Sequence, residues 1–159
     1  MVPSLINITG SPWGVLPHGI HWATLDETRE LFAVNQHRRK LFEGLLAAAS
    51  SLKLAGCKCI YLDGSFVTGK PKPEDYDGCW EPNNVNPTLL DPVFLDFSNG
   101  RRNQKIKYLG EMFPSGIEKN SGKPFIEFFQ IEKFTGEAKG ILAIDLTKES
   151  FDTVKGDKS

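Results

Sequence analysis

The chain has 159 residues, of which 40% are apolar and 25% charged, with a net charge of −1; this is the profile of one globular domain able to bury roughly 70% of its unfolded surface. So even a balance excludes a protein whose main task is to coat nucleic acid, which calls for a strongly basic face. No apolar run reaches the roughly 20 residues that cross a bilayer, and the start, with Pro3, Pro12 and Pro17, has no secretory-signal pattern, so the expected location is the cytoplasm.

Residues 1–23 read as an irregular arm docked on the core by Trp13 and Trp22, with His21 as a further anchor. Thr24 with Glu27 fits a capping box that opens a helix ending near Phe32. A longer helix follows over 36–55, with Leu41, Leu45, Ala48 or Ala49, and Leu52 on one face and Gly56 as its stop; Arg38, Arg39 and Lys40 read as its solvated side. Residues 58–63 form an apolar strand. Cys57, Cys59 and Cys79 are expected as packed thiols, because His18, His21 and His37 lie upstream without zinc-ligand spacing.

A loop containing Pro71 and Pro73 leads to a second strand over 76–81. Ser98 or Asn99 caps a third helix running to about Leu109 and carrying Arg101, Arg102, Lys105 and Lys107. Beyond a glycine- and proline-bearing turn, "KPFIEFFQIEKF" reads as a strand, paired with "AKGILAIDL" as a hairpin across Thr135-Gly136. After Leu146 the sequence is polar and reads as a frayed tail. The order predicts a single α+β domain over 1–159, a small mixed sheet flanked by helices.

The stretch "YLDGSFVTGKPKPEDYDGCW", residues 61–80, offers two phosphate-binding readings. Gly64, Gly69 and Lys70 imitate a P-loop, but Pro71 stands where that motif needs a hydroxyl residue opening a helix. In the other reading, Asp75 and Asp77 leave one face of a strand with Cα atoms roughly 6.6 Å apart. Such a pair can share two magnesium ions about 3.5 to 4 Å apart. Gly64 then lets the backbone approach a triphosphate, and Ser65 offers it a hydroxyl and an amide. Lys70, and Arg101, Arg102 and Lys105 on the third helix, are candidate phosphate contacts, with Lys72 a solvated neighbour.

"DGSFVTGKPKPEDYDGCW" resembles the Gly-Ser, then Asp-x-Asp signature of the polymerase-beta-like nucleotidyltransferases, at an interval close to that of the minimal bacterial members. More widely, "LPHGIHWAT", "LDPVFLDFSNGRRNQKIKY" and "PFIEFFQ" resemble an uncharacterised bacterial family of about this length, over most of residues 16–146. The superfamily resemblance implies a nucleoside triphosphate and magnesium at the strand ends, with Gly64 and Ser65 holding the triphosphate. Asp75 and Asp77 would bind the metals. It also implies a third carboxylate from a later strand, expected as Glu127, with Asp96 and Asp145 as the alternatives. The activity implied is transfer of a nucleotidyl group, with release of pyrophosphate, to a hydroxyl on protein, transfer RNA or a small molecule. A toxin–antitoxin pair is a setting in which similar small enzymes occur. The alternative function is a catalytically silent binding module that sequesters a partner protein.

Overall fold

The structure, a computed structural model, describes residues 2–116, 124–128 and 130–151. A five-stranded mixed sheet forms from β1 (Gly19–Trp22), β2 (Cys59–Asp63), β3 (Tyr76–Trp80), β4 (Gly110–Pro114) and β5 (Gly140–Asp145). Its spatial order is β1-β5-β2-β3-β4. The inner pairs β5–β2 and β2–β3 are antiparallel, whereas β1 with β5 and β3 with β4 are parallel. The helices are α1 (Leu25–Phe32), α2 (Gln36–Leu54), α3 (Arg102–Tyr108) and the four-residue α4 (Phe125–Phe128). The α+β class expected from the sequence is the one observed.

Local chemistry explains the first two helices. Thr24 accepts from the Glu27 amide while Glu27 accepts from the Thr24 amide, so two orphan donors of α1 are satisfied reciprocally. Asn35 caps α2 by accepting from the Arg38 amide. Gly56, at φ +102°, turns the chain out of α2 in a conformation that a side chain would strain.

The stripe Leu41, Phe42, Leu45, Ala48, Ala49 and Leu52 packs on Ile60, Leu62, Tyr76, Met112, Leu142 and Ile144, which line one face of the sheet. Complete burial of Leu45 and Leu52 removes each from water, a gain of about 1.5–3 kcal/mol per side chain. Strand alternation sends Cys79 and Ile141 to the opposite face, where Tyr61, Phe113 and Ile126 pack on them.

Several expectations are corrected. The arm is not wholly irregular: residues 19–22 pair with β5, the last strand in sequence. The stretch at 123–134, expected as a strand, contains α4 instead, although Lys123 and Phe129 lie outside the described residues. The chain does reverse near Gly136, but among the described residues its two sides share a single bridge, Ile131↔Ala138, and β5 pairs with β1 and β2. Residues 110–114, expected as a turn, form β4, with Pro114 at the end of this edge strand, where a missing N–H is tolerated. The tail expected after Leu146 begins fastened, since Glu149 accepts from the Leu25 amide and Leu146 is buried; residues 152–159 lie outside the described residues. Among the described residues no helix is long and apolar enough to cross a membrane.

Candidate functional site

Register places three acids in one row. Asp63 on β2 stands opposite Asp77 on β3, and Asp77 stands beside Glu111 on β4. Tyr76 and Trp80 face α2, so Asp77, between them in the alternation, lies on the other face of the sheet. Asp75 enters from the loop just before β3. Oxygens of Asp75, Asp77 and Glu111 all lie within 4.8 Å of one another.

The fourth acid, Asp63, is neutralised by an ion pair with Lys139, and both side chains are nearly buried. Burial raises the Asp63 carboxyl above its usual range against the pull of Lys139. Arg101 and Lys105 from the start of α3 reach one oxygen of Glu111, at 2.9 and 3.2 Å.

These neighbours divide the acids. Burial, then the charges of Asp75, Glu111 and Asp63, push Asp77 up to about 8. Asp75 is raised chiefly by burial and then by Glu111. Burial acts on Glu111 in the same sense, but its bonds to Arg101 and Lys105 outweigh it and hold Glu111 below the ordinary value. Asp77 is therefore the acid of this row that is pushed furthest toward its protonated form, with Glu111 as its hydrogen-bond partner. A compact set of carboxylate oxygens whose mutual repulsion favours a proton suits a hard divalent cation, because the cation relieves the same repulsion.

Beside the acids, the chain leaves β2 through Gly64 at φ +75° and enters a 3-10 turn over Ser65–Val67. A Cβ on Gly64 would fall 2.3 Å from Oδ2 of Asp77, so the bend and the carboxylate touch. The loop is held from beneath by Arg38, which is 2% exposed. Its guanidinium donates to the carbonyls of Phe66 at 2.7 Å, Thr68 at 2.8 Å and Lys70 at 2.6 Å, and also to those of Ser65 and Phe32. Asn35 and His37 donate to Pro71 and Pro73, so the first turn of α2 fixes the β2–β3 loop along its length. On the loop's other side Gly69 donates to Gly14, and the Lys70 ammonium lies 5.2 Å from the centre of the Trp13 ring.

Of the residues singled out from the sequence, Asp75, Asp77 and Gly64 are brought together, with Ser65 next in the chain after Gly64. Lys70 is committed to Trp13 and Arg102 is exposed. The carboxylate that joins the two aspartates is Glu111, not Glu127. Glu127 is exposed on α4, because residues 125–128 form a helix and, among the described residues, the strand beside β3 is β4. Asp96 and Asp145 are occupied elsewhere, accepting from Ser98 and Asn103 and from Thr147 respectively.

Glu111 is signalled in sequence only by the brief alternation Glu-Met-Phe after Gly110, which the neighbouring Pro114 disguises as a turn. Arg38 had a clearer sign, since it lies on the stripe of Leu41, Leu45 and Leu52 continued one turn back. The cysteines are free thiols, with burial raising all three.

No curated protein and no solved structure matches the chain. The pattern of DUF6932, described as a family of unknown function, matches residues 9–145 and so takes in all five strands, the acidic row and the β2–β3 loop. The chain belongs to the DUF6932 family.

Proposed function

We propose that this protein is a divalent-cation-dependent nucleotidyltransferase. The observation that carries the reading is the contact between the Gly64 bend and the Asp77 carboxylate, with Asp75 and Glu111 within ligand distance of Asp77. In this reading the acids hold magnesium and the bend receives the triphosphate. Magnesium bound there would supply positive charge to the phosphate oxygens and lower the pKa of an acceptor hydroxyl.

The chain's own groups prepare that chemistry. Glu111 is held toward its ionised form by Arg101 and Lys105 while Asp77 is pushed toward its protonated form, so loading with a cation would favour release of a proton from the acids. The Ser65 hydroxyl and the backbone of the bend would orient the phosphates. Charge neutralisation of Asp63 by Lys139 keeps a fourth carboxylate from adding to the repulsion met by an incoming anion. The acceptor classes that fit are a protein hydroxyl, transfer RNA or a small molecule, and a toxin–antitoxin pair is a compatible setting.

The test is transfer of label from each α-labelled nucleoside triphosphate, with magnesium, to components of a cell lysate. The expected result is label transfer by the wild type that is lost in Asp77→Ala. If no label moves while a partner protein co-purifies equally with wild type and Asp77→Ala, the enzyme reading is wrong and a binding module takes its place.

A further inference from the structure

We infer that Arg38 is a positioning residue that fixes the residue 64–70 loop as a seat for a polyphosphate anion; this rests on the nucleotidyl-transfer reading and names the group that makes its phosphate site.

Arginine stays charged in proteins, and Arg38 is 2% exposed. Among the described residues it meets no carboxylate, and its bonds go to the carbonyls of Phe32, Ser65, Phe66, Thr68 and Lys70. A neutral amide could donate to some of those carbonyls without the cost of burying an ion, which amounts to several kcal/mol. Among the described residues the fold thus retains a buried positive charge with no carboxylate set against it. That charge sits directly under the loop whose first residue touches Asp77.

Geometry adds to charge. A peptide bond is planar and trans, so turning the Ser65 carbonyl toward Arg38 turns the Phe66 N–H away from it. Four carbonyls of the loop, those of Ser65, Phe66, Thr68 and Lys70, are withdrawn to the guanidinium. An anion approaching the opposite side therefore meets less carbonyl repulsion and a fixed positive field. A polyphosphate is the class that fits, because it can span from this loop to a cation held by the adjoining acids.

The test compares wild type, Arg38→Lys and Arg38→Met. Manganese alone is titrated by electron paramagnetic resonance, then tripolyphosphate and ATP separately by calorimetry in the presence of manganese. Manganese affinity is expected to be the same in all three proteins. Tripolyphosphate and ATP affinity should fall about tenfold to a hundredfold in Arg38→Met, with partial recovery in Arg38→Lys, which keeps the charge but not the fork. Equal tripolyphosphate affinity in the folded variants overturns the inference. Wild-type binding of tripolyphosphate but not ATP, with the loss in Arg38→Met, supports it and overturns the nucleotide reading; no binding of either overturns both. Should the variants fail to fold, the Arg38 Nε–H resonance of the wild type is followed instead. A shift on adding tripolyphosphate supports the inference, and an unmoved resonance overturns it.

Discussion

The backbone of Gly64 lies so close to Asp77 that a methyl group on the glycine would overlap the carboxylate, at 2.3 Å from Oδ2. The left-handed φ of +75° independently disfavours any side chain there. Gly64→Ala is therefore expected to destabilise the fold by about 1–3 kcal/mol, visible as a lowered urea midpoint. Manganese affinity should fall with it, because the displaced oxygen belongs to Asp77. A variant as stable as wild type, with unaltered manganese binding, would show that the bend and the acid are independent.

Asp77 gives the protein an unusual pH dependence. Its folded value is about 8 against an ordinary 3.8, so between those limits the native state holds a proton that the unfolded chain releases. Stability falls as pH rises wherever the native state binds more protons, with a slope of at most about 1.4 kcal/mol per pH unit for one group. The loss should run from about pH 4 to pH 8 and then level off. Lowered carboxyls such as Glu111 and Asp91 act in the opposite sense only at more acid pH. Urea midpoints measured in chelator should decline over this window in wild type and decline less in Asp77→Asn, where the raised Asp63 and Asp75 still act in the same sense. Magnesium should abolish the decline in wild type.

Glu111 and Glu127 are separable by metal binding alone. Glu111→Gln removes one member of the acidic row and should weaken manganese by about tenfold or more. Glu127→Gln, at an exposed position on α4, should leave manganese affinity unchanged. The reverse outcome would restore the later segment to the site.

Removing Lys139 leaves Asp63 nearly buried without its counter-ion. Lys139→Met should cost about 3–5 kcal/mol in chemical denaturation. The double variant Lys139→Met with Asp63→Asn should regain much of the loss, since no unpaired charge then remains. If the double variant is no more stable than the single, the pair does not carry the effect.

Much of this architecture was legible because the relevant signals are local. The Thr24–Glu27 capping box, the Leu41–Leu52 stripe and the apolar run ending at Asp63 each fix an element without help from distant residues. Asp75 and Asp77 were readable for the same reason, being two apart where the loop enters one strand. Glu111 was not, because its place beside Asp77 is decided by parallel pairing across an intervening helix, and parallel register leaves no short-range trace. The segment at 123–134 misled in the opposite direction. Its β-branched and aromatic content suits any half-buried surface, and in the fold Ile126 meets that need by packing over Cys79 and Ile141 from α4. Charge alone hid Arg38, since a basic run at a helix start ordinarily faces water, whereas here the stripe's spacing prevailed over the residue's polarity.

The position of β5 bears on how this chain reaches its native state. The distant strand β5 lies between β1 and β2, so among the described residues β1 has no partner in the sheet until β5 arrives. While the ribosome is still extending the chain, α2 can form and β2 can meet β3, but β1 must wait until residues 140–145 have been released. Closure of the sheet is thus a late, long-range event of the kind that slows folding, and a polypeptide whose synthesis stops before Gly140 leaves the facing edges of β1 and β2 unpaired and open to aggregation.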